Sequence, residues 1–233
     1  MTENAVLRLR TERLARSTRP FLARGNRVRR CQGCLLPLKN CLCSSIKPQV
    51  SRSRFCLVMY DTEPMKPSNT GRLIADILPE TFAFNWSRTE PPAELLALVQ
   101  DPQWQPLIVF PASYADEDRP VVTQPPLSGK PPLFIMLDGT WTEARKMFRK
   151  SPWLDNFPVI SVDLARTSVY GLREAHGDGQ YCTVEVASAL LELAGDTAAA
   201  SELNDHFLLF RERYLAGKPQ HQATITSANE ESV

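Results

Sequence analysis

Nowhere in the 233 residues does an apolar run approach the roughly 20 residues that a membrane-spanning helix needs, so no membrane span is expected. Residues 1–30 lack the continuous apolar stretch of a secretory signal. The expectation is a cytoplasmic protein with no membrane partner and no evident obligate protein partner. No internal repeat is visible, which removes any basis for a solenoid or propeller. Net charge is nearly absent as well, at +1. That balance hides an uneven distribution. Residues 1–30 hold nine arginines (8, 10, 13, 16, 19, 24, 27, 29 and 30) against Glu3 and Glu12, a charge of +7 that leaves −6 for the remainder. A basic arm on a mildly acidic body points to a polyanionic partner, most simply nucleic acid. A solvated basic helix or an arginine-rich transit peptide are the alternatives.

What is present is enough apolar material, 43% of residues, for one large domain with a small appendage. Cysteine is concentrated: Cys31, Cys34, Cys41 and Cys43 supply four of the six, interleaved with Gly33, Pro37 and Asn40. Four thiolates at this density suit a closed, tetrahedral, structural zinc site that organises a loop too short to have its own core. Two disulfides, an iron–sulfur cluster and uncoordinated thiols are the rivals; nothing indicating secretion argues against the disulfides.

The chain then alternates strand and helix patterns. Residues 55–60, 82–86, 107–110, 133–137 and 158–163 read as strands, with Cys56 a core residue of the first. Helices are expected near 6–15, from about 70 with Ile74, Ile77 and Leu78 inward, over 92–100, and over 183–194 and 200–215. Residues 112–132, rich in proline and acids, read as a surface loop. The expected fold is α/β, a mostly parallel sheet with helices on both faces. Its divisions are a basic arm (1–30), a four-cysteine zinc segment (31–54), the α/β domain (55–216) and a disordered tail (217–233).

The organising stretch is residues 133–146. Five apolar residues run unbroken into Asp138, as in a strand buried on both faces. Gly139 permits a tight turn, and Thr140 and Glu143 have the spacing of a capping box. In the helix that follows, Trp141, Ala144 and Phe148 make an inner face, with Arg145, Lys146, Arg149 and Lys150 largely opposite. Asp138 thus falls at the carboxyl end of a central strand, the edge where open α/β sheets bind ligands.

Asp138-Gly139-Thr140-Trp141 resembles the D-x-T-W signature of the DTW-domain proteins, a family related to the SPOUT class of RNA-modifying enzymes. Further motifs agree across roughly residues 31–215. Four cysteines precede the catalytic domain in many members. Glu63, Lys66 and Asn69-Thr70-Gly71-Arg72-Leu73 resemble a second motif, although Asp61 stands near where the family usually has a histidine. Tyr170-Gly171-Leu172-Arg173 is similar to its Y-x-L-R element. Cys182-Thr183-Val184-Glu185-Val186 is similar to its S-T-x-E-A element, with Cys182 and Val186 as departures. His176 to Gly179 lies between these two elements as a glycine-bearing loop.

The resemblance implies a SPOUT-like fold, with a trefoil knot that connection rules alone would argue against. It also implies a tRNA-uridine aminocarboxypropyltransferase that uses S-adenosylmethionine as donor and tRNA as acceptor. Asp138 is then the candidate general base or an electrostatic anchor for the donor. The ligand-binding set would be Asp138, Gly139, Thr140, Trp141, Tyr170, Leu172, Arg173, Thr183 and Glu185, with Arg173 on the methionine carboxylate or a phosphate. Asp61 receives no role, and Glu63, Lys66 and Asn69 suit capping as well as ligand contact. A SPOUT-like RNA methyltransferase and a non-catalytic zinc-containing RNA-binding module are the alternatives.

Overall fold

The computed structural model describes residues 3–18, 28–126, 128–163 and 181–217. Among them six strands form one sheet: β1 (Arg54–Met59), β2 (Phe82–Asn85), β3 (Gln105–Val109), β4 (Val121–Val122), β5 (Pro132–Asp138) and β6 (Val159–Ile160). Their order is β2-β1-β5-β3-β6-β4, and every pairing is parallel. The four longer strands follow the sequence reading. β4 does not, because it lies inside the stretch read as a loop. Its two residues form an edge strand against β6, too short for periodicity to show.

Among the described residues six α-helices cover the sheet: α1 (Ala5–Ala15), α2 (Gly71–Ile77), α3 (Ala93–Gln100), α4 (Trp141–Arg149), α5 (Thr183–Leu193) and α6 (Thr197–Ala216). The apolar runs of β1 and β5 have a direct cause. Phe55, Leu57, Met59, Phe134 and Met136 face a cluster shared with α1, α2, α5 and α6. Cys56, Val58, Leu133 and Ile135 face a second cluster with α3 and α4. Successive side chains alternate across a strand, so a strand covered on both sides has no polar position. The trefoil knot implied by the resemblance belongs to the carboxyl-terminal half, in which residues 164–180 lie outside the described residues.

The amino-terminal helix is docked rather than free. Ala5, Val6 and Leu9 are buried in the first cluster. Asn4 caps α1 through Oδ1, which accepts from the N–H groups of Val6 and Leu7 at 3.0 and 3.2 Å. The Nδ2 of Asn4 donates to Asp76 at 2.7 Å and to the Arg72 carbonyl at 3.1 Å. Arg72, 1% exposed, donates to Asp76 at 2.8 Å, and its guanidinium lies 5.6 Å from the centre of the Phe210 ring. His206 Nε2 of α6 is 3.2 Å from the same Asp76 carboxylate. One buried carboxylate therefore ties α1, α2 and α6 together, and Arg72 of the N-T-G-R-L motif serves packing. Of the basic arm, Arg13 forms a two-point ion pair with Asp61 at 2.6 and 2.7 Å, whereas Arg19, Arg24 and Arg27 lie outside the described residues.

Removing Asp76 would strand the Arg72 charge away from water. Asp76→Ala is expected to lower unfolding free energy by about 3–5 kcal/mol, the usual cost of breaking a buried ion pair. Urea titration measures this directly, and a loss below about 1 kcal/mol contradicts the assignment.

Candidate active site

Asp138 ends β5 in register with Met59 of β1, and the Tyr60 N–H donates to the Asp138 carbonyl at 2.9 Å. This alignment brings the turn after β1 alongside the carboxylate. Asp138 is only 3% exposed. Its Oδ2 accepts from Asn69 Nδ2 at 2.8 Å, and its Oδ1 accepts from the Thr183 hydroxyl at 2.7 Å. The same Asn69 amide donates to Glu63 at 3.1 Å, while Lys66 pairs with the other oxygen of Glu63. Asn69 Oδ1 accepts from the Arg72 N–H at 2.9 Å, so Asn69 caps the start of α2 and bridges two carboxylates at once.

Gly71 is required by this arrangement. A Cβ at that position would lie 2.4 Å from Asp138 Oδ2, closer than any side chain permits. Burial pushes the Asp138 carboxyl up to about 6, and the neighbouring Glu63 carboxylate acts in the same direction. The hydrogen bonds from Asn69 and Thr183 oppose the rise without cancelling it.

Beside this cluster a cleft of about 730 Å³ opens at the carboxyl ends of β3, β5 and β6. Gly139, Trp141, Asp163, Tyr181 and Thr183 line it, with Phe110 and Met136 as apolar wall. Thr183 belongs to both places: it lines the cleft and donates to Asp138. Trp141 corrects the expectation of an inward face. It is 43% exposed, stacked 5.4 Å from Phe110, whereas Ala144 and Phe148 are buried as expected. As the first residue of α4, Trp141 stands at the rim of the cleft.

Two expected ligand-binding side chains are engaged in helix starts. Thr140 caps α4, with Glu143 returning to the Thr140 N–H at 2.7 Å as the spacing predicted. Glu185 accepts from the Cys182 N–H at 2.8 Å at the start of α5. Burial, reinforced by Glu185, pushes the Cys182 thiol up to about 12, so it stays protonated. Asp61 points away to Arg13. Tyr170, Leu172, Arg173 and the 176–179 loop lie outside the described residues.

The four cysteines converge as well. All four Sγ atoms lie within 4.8 Å of one another; Cys31 and Cys43 are 3.5 Å apart, and Cys34 and Cys41 3.7 Å. A tetrahedral site with zinc–sulfur bonds of about 2.3 Å has sulfur–sulfur edges of about 3.8 Å. The cluster can hold zinc, and no described cysteine is in a disulfide. Leu35, at φ +58, makes the turn after Cys34, and a Cβ on Gly33 would approach Cys43 Sγ to 2.9 Å. Arg213 of α6 donates to the Cys41 carbonyl, and its own carbonyl accepts from Asn40 at 2.9 Å.

The DTW domain family model matches residues 28–215, from the edge of the cysteine cluster through α6. The chain belongs to the DTW-domain family. Among curated proteins it is similar to tRNA-uridine aminocarboxypropyltransferase 2 of Drosophila melanogaster, at 22% identity over 173 residues. That alignment covers 71% of this chain and 66% of the relative, just under two thirds of its length. No solved structure matches. In this DTW-domain protein the motif aspartate, the Asn69 motif and the Thr183 motif, far apart in sequence, meet at one carboxylate. The pairing of Asn69 with Asp138 had no sequence signal beyond the motif itself, since 69 residues separate them.

Two outcomes follow. The purified chain should carry about one zinc, and Cys34→Ser should remove it and lower the thermal midpoint, as elemental analysis and calorimetry would show. A metal-free wild-type protein excludes the site. Second, the Asp138 carboxyl binds its proton more tightly folded than unfolded, so its contribution to stability falls as pH rises from about 4 to 6. Between pH 4 and 7, wild type should lose about 2 kcal/mol relative to Asp138→Asn in paired urea titrations. A pH-independent difference would show an ordinary aspartate.

Proposed function

We propose that this protein is a tRNA-uridine aminocarboxypropyltransferase. It would move the 3-amino-3-carboxypropyl group of S-adenosylmethionine to N3 of a tRNA uridine, with the variable-loop region as expected target. The observation that carries this reading is the buried Asp138, with its carboxyl near 6, coupled through Thr183 to the cleft. Membership of the DTW-domain family and the name of the fly relative support it.

The chemistry asks for three things of the chain. It must align uridine N3 with the γ-carbon of the donor rather than with the methyl or ribose carbon. That is a matter of orientation, for which the rigid floor of Gly139 and Met136 and the Trp141 ring are suited. It must accept the N3 proton. The Thr183 hydroxyl, hydrogen-bonded to Asp138, can take that proton while passing its own to the carboxylate. The nitrogen–carbon bond then forms as the carbon–sulfur bond breaks, and its electron pair leaves on neutral methylthioadenosine. Finally, the chain must exclude water, and the apolar wall of the cleft serves this. Asp138 has a second role open to it, holding the donor's ammonium or sulfonium by charge. Thr140 and Glu185 contribute by fixing two helix starts. Zinc at Cys31, Cys34, Cys41 and Cys43 would secure the amino-terminal segment against α6, away from the reaction.

Incubation with tRNA and S-adenosylmethionine, followed by mass spectrometry of both products, tests the reading. Methylthioadenosine and a uridine bearing the added group are expected. S-adenosylhomocysteine would identify a methyltransferase instead, and tRNA binding with no donor binding a non-catalytic module. Asp138→Asn should reduce transfer by about 10²–10⁴-fold with the fold intact. Retained donor affinity in that variant assigns the base role, and lost affinity the electrostatic one. Near-normal turnover would remove Asp138 from the reaction.

A further inference from the structure

Four aromatic residues stand on the carboxyl edge of the sheet, each just beyond a strand. Tyr60 follows β1, Trp86 follows β2, Tyr114 closes the turn after β3, and Trp141 follows β5. They form two pairs. Tyr60 and Trp86 stack with centroids 5.7 Å apart, and Tyr114 meets Trp141 edge-on at 5.5 Å.

Helix α4 places a cation on each pair. Lys146 Nζ lies 5.4 Å from the Tyr60 ring and 5.6 Å from the Trp86 ring, and donates to the Tyr60 hydroxyl at 3.1 Å. The Arg145 guanidinium lies 5.2 Å from the Tyr114 ring. One turn on, Arg149 and Lys150 are exposed. Among the described residues, none of these four cations pairs with a carboxylate. The one acid of the helix, Glu143, is committed to Thr140.

An ordinary solvent-facing helix alternates charge at i, i+4, whereas Arg145 with Arg149 and Lys146 with Lys150 repeat it, which disfavours a helix by itself. The helix dipole accounts for cations in the last turn. It does not account for two cations standing over aromatic rings, one of which, Tyr114, packs against Trp141 of the cleft lining.

We propose that the outer face of α4, with these two aromatic pairs, is the docking surface for an RNA strand with unpaired bases. The inference rests on the proposed function only in taking RNA as the acceptor. Cations without carboxylate partners supply phosphate contacts, and an exposed Trp141 at the cleft rim offers a face on which a splayed base stacks. A duplex keeps its base faces covered, so it could use only the cations. Trp141 belongs both to this surface and to the lining of the cleft, so a base stacked on it stands at the cleft rim.

The test uses the full chain and fluorescence anisotropy with two labelled probes, a tRNA and a blunt RNA duplex, over a range of salt. The triple variant Arg145→Ala, Arg149→Ala, Lys150→Ala should bind tRNA about tenfold or more weakly. Its salt slope should fall by about 2, from three lost contacts at about 0.7 each. Its circular dichroism and S-adenosylmethionine affinity should match wild type. Lys150→Glu alone, at an exposed position past the helix end, should weaken tRNA binding in the same direction, while Lys150→Arg should not. Wild type should prefer the tRNA to the duplex, and Trp141→Ala should reduce that preference. An unchanged salt slope in the folded triple variant, an unaffected Lys150→Glu, or equal affinity for both probes overturns the proposal. A chain that binds tRNA through α4 yet forms no aminocarboxypropyl product overturns the proposed function and leaves this surface standing. Product formation with an unchanged slope does the reverse.

Discussion

The carboxylate of Asp138 is the constraint on which the site depends. A carboxyl group withdrawn from water is costly unless its oxygens are satisfied, and here each oxygen accepts one hydrogen bond, from Asn69 and from Thr183. Those two donors come from the segment leading into α2 and the first residue of α5. Meeting the needs of one group thus fixes two helix starts relative to the central strand. The requirement propagates to Gly71, where only a missing side chain leaves room for the carboxylate. Two hydrogen bonds do not fully offset burial beside Glu63, so the group stays poised to exchange a proton near neutral pH. Such poise serves no packing purpose, and it stands beside the cleft at the edge of the sheet.

Two peripheral pieces are anchored to the same long helix. Asp76 gathers Asn4, Arg72 and His206, which holds α1 against α2 and α6. The cysteine segment grips the carboxyl end of α6 through Asn40, Arg213 and the Cys41 carbonyl. Cys34, Leu36 and Leu42 of that segment enter the main core, so the metal-binding loop contributes apolar surface as well as ligands. Helix α1 is therefore part of the folded body, and of its arginines Arg13 is engaged by Asp61. Exposed positive charge with no carboxylate partner among the described residues is found on Arg16 and Arg29 and also on α4, next to the cleft.

Local chemistry made much of this legible in the sequence. Unbroken apolar runs identified β1, β3 and β5 because both sheet faces are covered, and a two-sided strand carries its signature in every residue. The capping box at Thr140 and Glu143 was readable because it spans three residues and needs no partner elsewhere. Cys31, Cys34, Cys41 and Cys43 likewise declared themselves by spacing within a short loop. Asp138 could be placed at a strand end for the same reason. What only the tertiary structure decided are contacts between distant segments: Asn69 and Thr183 on Asp138, His206 on Asp76, and Arg72 turned inward to packing. Helical spacing put Trp141 on an inner face, but spacing cannot tell that this first turn stands at the rim of the cleft. Nor could it find β4, whose two residues are a strand only because β6 lies beside them. Periodicity records which side of an element is covered. Which group covers it, and whether a carboxylate there keeps or gives up its proton, depends on chain-distant neighbours whose identity is set by packing.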